Sequence, residues 1–234
     1  MKYKALVADI DGTITHQNRR LNLKAAEMLY RLNDESGIPV VLATGNILCF
    51  SHAASKLIGL SGYVIAENGG VVSEGFDTNP YIMGDIKECR KAFSFLSEYI
   101  PLTKLDPEYR KTEIALRRNF DLEYAKNVIK SGKYNVDLID TGYAVHIKSN
   151  TMNKGTGLVK IAELMGLNPK EFVAIGDSEN DLEMIEFAGI GIAVANSDQK
   201  TRSIADIVTD ASYGEGVVEA IERLYSCDWN DTCL

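Results

Sequence analysis

The stretch VADIDGTITH, residues 7–16, ends an apolar run on two aspartates one residue apart, with glycine and threonine following at once. Like charges that close repel, so Asp9 and Asp11 need a positive or reactive partner where a strand should finish. On either side of this stretch, YKALVA (3–8) and IPVVLA (38–43) are apolar runs of strand length. Between them NLKAAEMLYRLNDES (22–36) repeats its apolar residues at helical spacing, and Gly37 supplies a stop. Strand, helix and strand in that order form the unit of a parallel sheet.

The alternation continues with a helix over 47–58, a strand over 62–66, a turn at ENGG (67–70) and a small hairpin through VVSEGF. From about Tyr81 the texture changes. A helix is expected over 84–99, a strand over 112–118 and a second helix over 121–131. Strands over 135–140 and 143–149 follow, joined at Thr141 and Gly142. Ala144, His146 and Lys148 alternate with Val145 and Ile147, as in a sheet with one open face. Strand–helix alternation resumes at 153. It predicts a helix over 153–165, a strand over 171–176 and a helix over 180–188. A strand over 190–195, a helix over 198–205, a strand over 206–209 and a last helix near 215–226 complete it. The pattern predicts an α/β protein: a discontinuous Rossmann-like parallel-sheet core, 1–80 and 152–234, with an inserted α+β domain at 81–151.

The 234 residues, 45% hydrophobic and 25% charged, have the make-up of a globular chain with room for a core carrying a smaller domain. A net charge of -8 argues against nucleic acid as the main partner, because a polyanion needs a basic surface. A local cationic pocket for a small anion is compatible with it. No run of about 18 apolar residues occurs, and MKYKALVADID reads as a first strand, not a signal peptide. No membrane partner and a cytoplasmic location are therefore expected. Cys49, Cys89, Cys227 and Cys233 form no C-x-x-C pair, and His16, His52 and His146 are scattered, so no zinc site is expected. Cys227 and Cys233 are close enough in sequence to pair, but reduced bystander thiols are the better reading.

Ligands of open α/β sheets bind beyond the carboxyl ends of the strands. Reactive residues gather at such ends here. The first strand delivers Asp9-Ile10-Asp11-Gly12-Thr13, the second Thr44-Gly45-Asn46, and the strand ending at Ile175 delivers Gly176-Asp177-Ser178-Glu179-Asn180-Asp181. Lys154 opens the helix that re-enters the core. In this order the four pieces resemble the haloacid dehalogenase-like phosphohydrolase superfamily. Its pattern is D-x-D-G-T, then Ser/Thr after a strand, then Lys or Arg, then G-D-x-x-N-D. The resemblance spans the chain, and the insert falls where the family's larger type of cap belongs.

The resemblance implies that Asp9 is the nucleophile that becomes a transient aspartyl phosphate. Asp11 would protonate the leaving alkoxide and then activate water, with Thr13 orienting it. Mg²⁺, which favours oxygen ligands in octahedral geometry, would be held by Asp9, the Asp11 carbonyl and Asp177, with Asp181 and Asn180 in or beside that shell. Thr44, the Gly45 N–H and Lys154 would hold the remaining phosphate oxygens. By the strand's period of two, Ile10 would point back into the core.

Many large-cap relatives carry an arginine where this chain has Asn46. TGN (44–46) together with ENGG (67–70) resembles a smaller branch, the archaeal-type phosphoglycolate phosphatases. A small phosphorylated metabolite is then the implied partner of a monomer or homodimer, and a cationic cap residue should meet the phosphoglycolate carboxylate. Arg110, Lys111, Arg117, Arg118, His146 and Lys148 are candidates, although Arg117 and Arg118 point to opposite faces of one strand. A sugar-phosphate phosphatase or phosphomutase of the same superfamily is the alternative enzyme. A phospho-accepting receiver-like module is the alternative of another class.

Overall fold

The computed structural model describes residues 3–225. Trp229 and the pairing of Cys227 with Cys233 lie outside the described residues; Cys49 and Cys89 are free thiols.

Two sheets organise the chain. The larger is built from β1 (Ala5–Asp9), β2 (Val40–Ala43), β3 (Tyr63–Ala66), β4 (Val71–Glu74) and β5 (Tyr81–Ile82), together with three strands from the second half of the chain. The smaller contains β6 (Lys104–Leu105), β7 (Ile114–Arg117), β8 (Val136–Asp140) and β9 (Ala144–Ser149). The late strands of the large sheet are β10 (Phe172–Gly176), β11 (Ile190–Ala193) and β12 (Ile207–Val208). Its order is β12-β11-β10-β1-β2-β3-β4-β5, parallel from β12 to β3 and antiparallel at β4 and β5. The chain winds outward from β1 through β2 and β3, then returns to β10 on β1's other side. The switch point therefore lies beside the carboxyl end of β1, where a parallel sheet opens a crevice.

The period of two in β1 divides the core. Leu6 and Ala8 face one layer, with α1 (Leu23–Asp34), α2 (Leu48–Ile58) and α8 (Tyr213–Tyr225). Ala5 and Val7 face the other, with α5 (Lys154–Leu164) and α6 (Leu182–Phe187). Each fully buried Leu, Ile or Val contributes about 1.5–3 kcal/mol. Helix α1 starts because the Asn22 side chain accepts a hydrogen bond from the Ala25 N–H at 3.0 Å. Its chain departs through Gly37, at φ +65°. A short helix α7 (Gln199–Ile204) completes the core.

In the smaller sheet, α3 (Ile86–Ser97) and α4 (Leu122–Gly132) cover one face, packing Cys89, Leu96, Ala125 and Ile129 against Ile114, Leu116, Val145 and Ile147. Alternation in β9 predicts an open opposite face, and here the structure differs. Ala115, Ala144, His146 and Lys148 are all buried. That face is turned toward the strand ends of the large sheet, and His146 Cε1 lies within 3.3 Å of where a Cβ on Gly45 would stand.

The turn after β3 makes this closure possible. Glu67, Asn68 and Gly69 take φ of +49°, +52° and +95° in succession. Positive φ is costly for the first two, which lack glycine's freedom. At Gly69 no side chain fits: an added Cβ would stand 1.9 Å from the Asn153 carbonyl oxygen. Asn153 caps α5, accepting from the Thr156 N–H at 2.8 Å, and so sets the position of Lys154. Gly69→Ala is expected to destabilise the fold by about 1–3 kcal/mol and to depress any activity that needs Lys154. Urea denaturation beside an activity assay checks both effects, and a variant of wild-type stability contradicts this account of the joint.

Candidate active site

Helix α5 projects Lys154 from its first turn into the crevice, where the side chain is fully buried. Its ammonium bonds Asp9 Oδ1 at 2.5 Å and Asp181 Oδ1 at 2.6 Å. Asp9 ends β1, and Asp181 closes the turn after β10. The other oxygen of Asp181 accepts from the Asp177 and Ser178 N–H groups at 3.0 and 3.2 Å, fixing the loop that carries Asp177. Asp177 in turn presses against Gly12. A Cβ there would stand 2.2 Å from Asp177 Oδ2, and φ is +95°. The glycine is what lets the two loops meet.

The 10–14 segment is a tight turn and no longer strand. Ile10 is buried as expected, in the same core layer as Leu6 and Ala8, so the period of two carries through the end of β1 into the turn. Thr13 departs from expectation. Its hydroxyl lies 3.4 Å from Asp177 Oδ1, so it serves the Asp177 loop and does not orient Asp11. Asp11 is oriented by Asn46 Nδ2, 2.7 Å from Oδ2, and by Arg19 Nε, 2.9 Å from Oδ1. Arg19 holds φ +65° and its guanidinium stacks 4.4 Å from the Tyr143 ring centroid. The positive charge absent at position 46 thus arrives at Asp11 from position 19. Asn46 also donates from its N–H and Nδ2 to the Thr44 hydroxyl oxygen, each at 3.0 Å. With its acceptor capacity used, the Thr44 O–H proton is available to a ligand.

A second buried network joins the insert to this site. Glu67 accepts from the Thr112 N–H at 2.8 Å, the Thr112 hydroxyl at 2.7 Å and the Lys111 N–H at 3.0 Å. Asn180 Nδ2 donates to Asn68 Oδ1 at 3.1 Å, and Asn68 Nδ2 donates to Glu113 Oε2 at 2.9 Å. Glu113 Oε1 takes His146 Nδ1 at 2.7 Å and the Arg110 guanidinium, which also reaches the Gly45 carbonyl at 3.0 Å. Burial alone would raise the Glu113 carboxyl, but His146, Arg110 and Asn68 hold it below its usual value.

These groups line a cavity of about 150 Å³ that takes in Asp9, Asp11, Arg19, Thr44, Gly45 and Asn46 from the core side. Arg110, Tyr143 and His146 face it from the insert, and Ser178 and Asn180 close it. Of the other cationic candidates, Arg118 is paired with Asp140 and Lys148 bonds the Met152 carbonyl at 2.5 Å; Lys111 and Arg117 do not line the cavity. Arg19 and Glu113 escape a motif search. The only local sign of Arg19 is a basic pair six residues beyond the Asp9–Thr13 motif, and Glu113 sits in an ordinary strand pattern.

Asp9, Asp177 and Asp181 each present an oxygen within 4.8 Å of the others. One ammonium faces these three carboxylates. Burial, with Asp181 and Asp177 nearby, raises the Asp9 carboxyl although Lys154 opposes it. Burial and Asp181 push Asp177 up to about 7. Burial disfavours the charged Lys154, but Asp181 and Asp9 outweigh it and raise its pKa, so the ammonium persists. Asp9 Oδ2 is buried with no hydrogen-bond partner. Uncompensated negative charge, hard oxygen donors and an orphaned carboxylate oxygen together fit a divalent cation.

A family model described as haloacid dehalogenase-like hydrolase matches residues 6–100 and 102–221. A phosphoglycolate phosphatase of Methanosarcina acetivorans is 60% identical over 98% of this chain and 100% of its own length. That of Archaeoglobus fulgidus is 47% identical over 95% of this chain and 97% of its own. A Thermoplasma acidophilum crystal structure superposes with a TM-score of 0.84 at 24% identity, covering 95% of this chain and 98% of that one. Among the described residues no helix is long and apolar enough to cross a membrane.

An acid raised in the folded state stays protonated where the unfolded chain has already ionised. Asp177, at about 7 against an ordinary 3.8, therefore makes the folded protein bind more protons between those values. Its contribution to stability falls as pH rises through that window. In thermal scans, Mg²⁺ or Mn²⁺ should raise Tm strongly near pH ~7.5 and little near pH ~5, because the cation competes with those protons. An increment independent of pH would contradict the assignment of these acids to a cation.

Proposed function

The chain belongs to the haloacid dehalogenase-like hydrolase family, and from that premise we propose a Mg²⁺-dependent phosphatase that converts 2-phosphoglycolate to glycolate and phosphate. The observation that carries this reading is the convergence of Asp9, Asp11, Thr44, Lys154 and Asp177 around one crevice. The two relatives named above support the substrate.

Asp9 attacks phosphorus, the bond from phosphorus to the glycolate oxygen breaks, and Asp11 gives that oxygen its proton. Water then attacks the aspartyl phosphate, Asp11 takes a proton from it, and phosphate leaves Asp9 as a free carboxylate. Arg19 and Asn46 each donate to one oxygen of Asp11 and so fix the position of its carboxyl group in both halves. Lys154 aligns Asp9 and supplies positive charge beside the transferring group, and Thr44 offers its hydroxyl proton. Asp9, the Asp11 carbonyl and Asp177 would hold Mg²⁺, with Asp181 and Asn180 around them; bound there it neutralises these oxygens and a phosphate oxygen. In this reading residues 1–80 and 152–234 are the catalytic core and 81–151 the cap, which excludes water and faces the leaving group.

Asp9→Asn should cut kcat by about a thousandfold or more while leaving the melting curve near wild type. An active Asp9→Asn enzyme would remove Asp9 as nucleophile. Chelation should abolish turnover and added Mg²⁺ restore it. In a panel of phosphate esters, a sugar phosphate that beats phosphoglycolate tenfold in kcat/KM, about 1.4 kcal/mol, would displace the substrate assignment.

A further inference from the structure

We propose that Arg110 and His146, clasped by the buried carboxylate of Glu113, form the subsite that reads the carboxylate of the leaving group. This rests on the phosphoglycolate reading above and assigns the residues that make it selective.

Arg110 is 5% exposed at its side chain, lines the cavity, and keeps its Nε–H buried without a hydrogen-bond partner. A buried donor left unmade costs about 1–3 kcal/mol, and more on a charged group, so a ligand oxygen is the natural partner. His146 lines the same cavity. Its Nδ1 is taken by Glu113, and Nε2 has no hydrogen-bond partner among the described residues.

The supports of this pair are fixed from both sides of the crevice. Asn68 donates to the second Glu113 oxygen, which fixes the orientation of the carboxylate that holds Arg110 and His146. The Arg110 guanidinium also donates to the Gly45 carbonyl at 3.0 Å, one residue beyond Thr44. It is therefore held next to the residues assigned to the phosphate. Glycolate has only two carbons, so its carboxylate must lie within a few ångströms of the phosphate it leaves. A cation at this place can meet it. Arg118 is committed to Asp140 and the Gly142 carbonyl and Lys148 to Met152, while Arg19 meets the cavity from the core side with its Nε on Asp11. With Glu113 shared between Arg110 and His146, the Arg110 Nε–H is left over for a second carboxylate. An ester without an acceptor at that position would close the cavity on an unmatched guanidinium, which penalises binding.

The Mg²⁺-loaded enzyme can be assayed on phosphoglycolate and on ethyl phosphate, which has the same two-carbon chain and a methyl group in place of the carboxylate. Wild type should prefer phosphoglycolate. Arg110→Ala should lose about 100-fold or more in kcat/KM on phosphoglycolate, chiefly through KM, and only about threefold on ethyl phosphate. Arg110→Lys should recover part of the ratio. An equal loss on both esters would overturn the proposal and make Arg110 a prop for the Gly45 loop, with the phosphoglycolate reading intact. A wild-type enzyme indifferent to the carboxylate would overturn the substrate reading and this subsite with it. Should circular dichroism show that Arg110→Ala does not fold, Arg110→Lys and His146→Gln decide the matter. Both must lower the phosphoglycolate-to-ethyl phosphate ratio, and an unchanged ratio in both rejects the subsite.

Discussion

The buried ammonium of Lys154, bound to Asp9 on one side and Asp181 on the other, is the interaction around which the rest is arranged. An isolated charge at that depth would be prohibitively costly, and so would three carboxylates without it. Each neighbouring feature answers this constraint. Asn153 caps α5 so that its first turn opens on the crevice. Gly69 lets the Asn153 carbonyl approach, and Gly12 leaves room for Asp177. The ion pairs do not balance the charge, and that remaining imbalance is what suits the cluster to a divalent cation. Structure that would be a liability in an inert core becomes reactive where it is incomplete.

The turn at 67–70 has a second role beside positioning α5. Two of its side chains reach across to the insert: Glu67 takes the backbone at Lys111 and Thr112, and Asn68 connects Asn180 to Glu113. The backbone strain of consecutive positive φ values is offset by these buried hydrogen bonds. The insert is thereby held against the strand ends, and its inner sheet face is buried. Polar residues on such a face need partners, and His146 Nδ1 and one Arg110 terminal nitrogen both find Glu113.

Much of this was legible before any coordinates. Strands and helices with a clear period appear within a few residues of their expected bounds, since burial of one face imposes that period. Tyr81–Ile82 and Lys104–Leu105 are too short to show a period and exist through pairing with β4 and β7. Thr13 bonds Asp177 and not Asp11, because the residue near it in sequence is not the one its hydroxyl meets in space. Arg19 carries no motif at all. It is positioned by a left-handed backbone residue and a ring from the insert, neither of which leaves a local pattern.

Local sequence determined the order of elements, the places where strands hand over to acidic turns, and the residue types that such chemistry needs. Those follow from side-chain period, capping and charge, which act over a few residues. Tertiary structure alone decided which groups touch. It turned the alternating face of β9 inward, routed Asp11 to Arg19 and Thr13 to Asp177, and placed Arg110 over Gly45. Hydrogen bonds act over about 3 Å, and the partners lie 8 residues apart for Asp11 and Arg19, 65 for Gly45 and Arg110 and 164 for Thr13 and Asp177, beyond the reach of any local pattern.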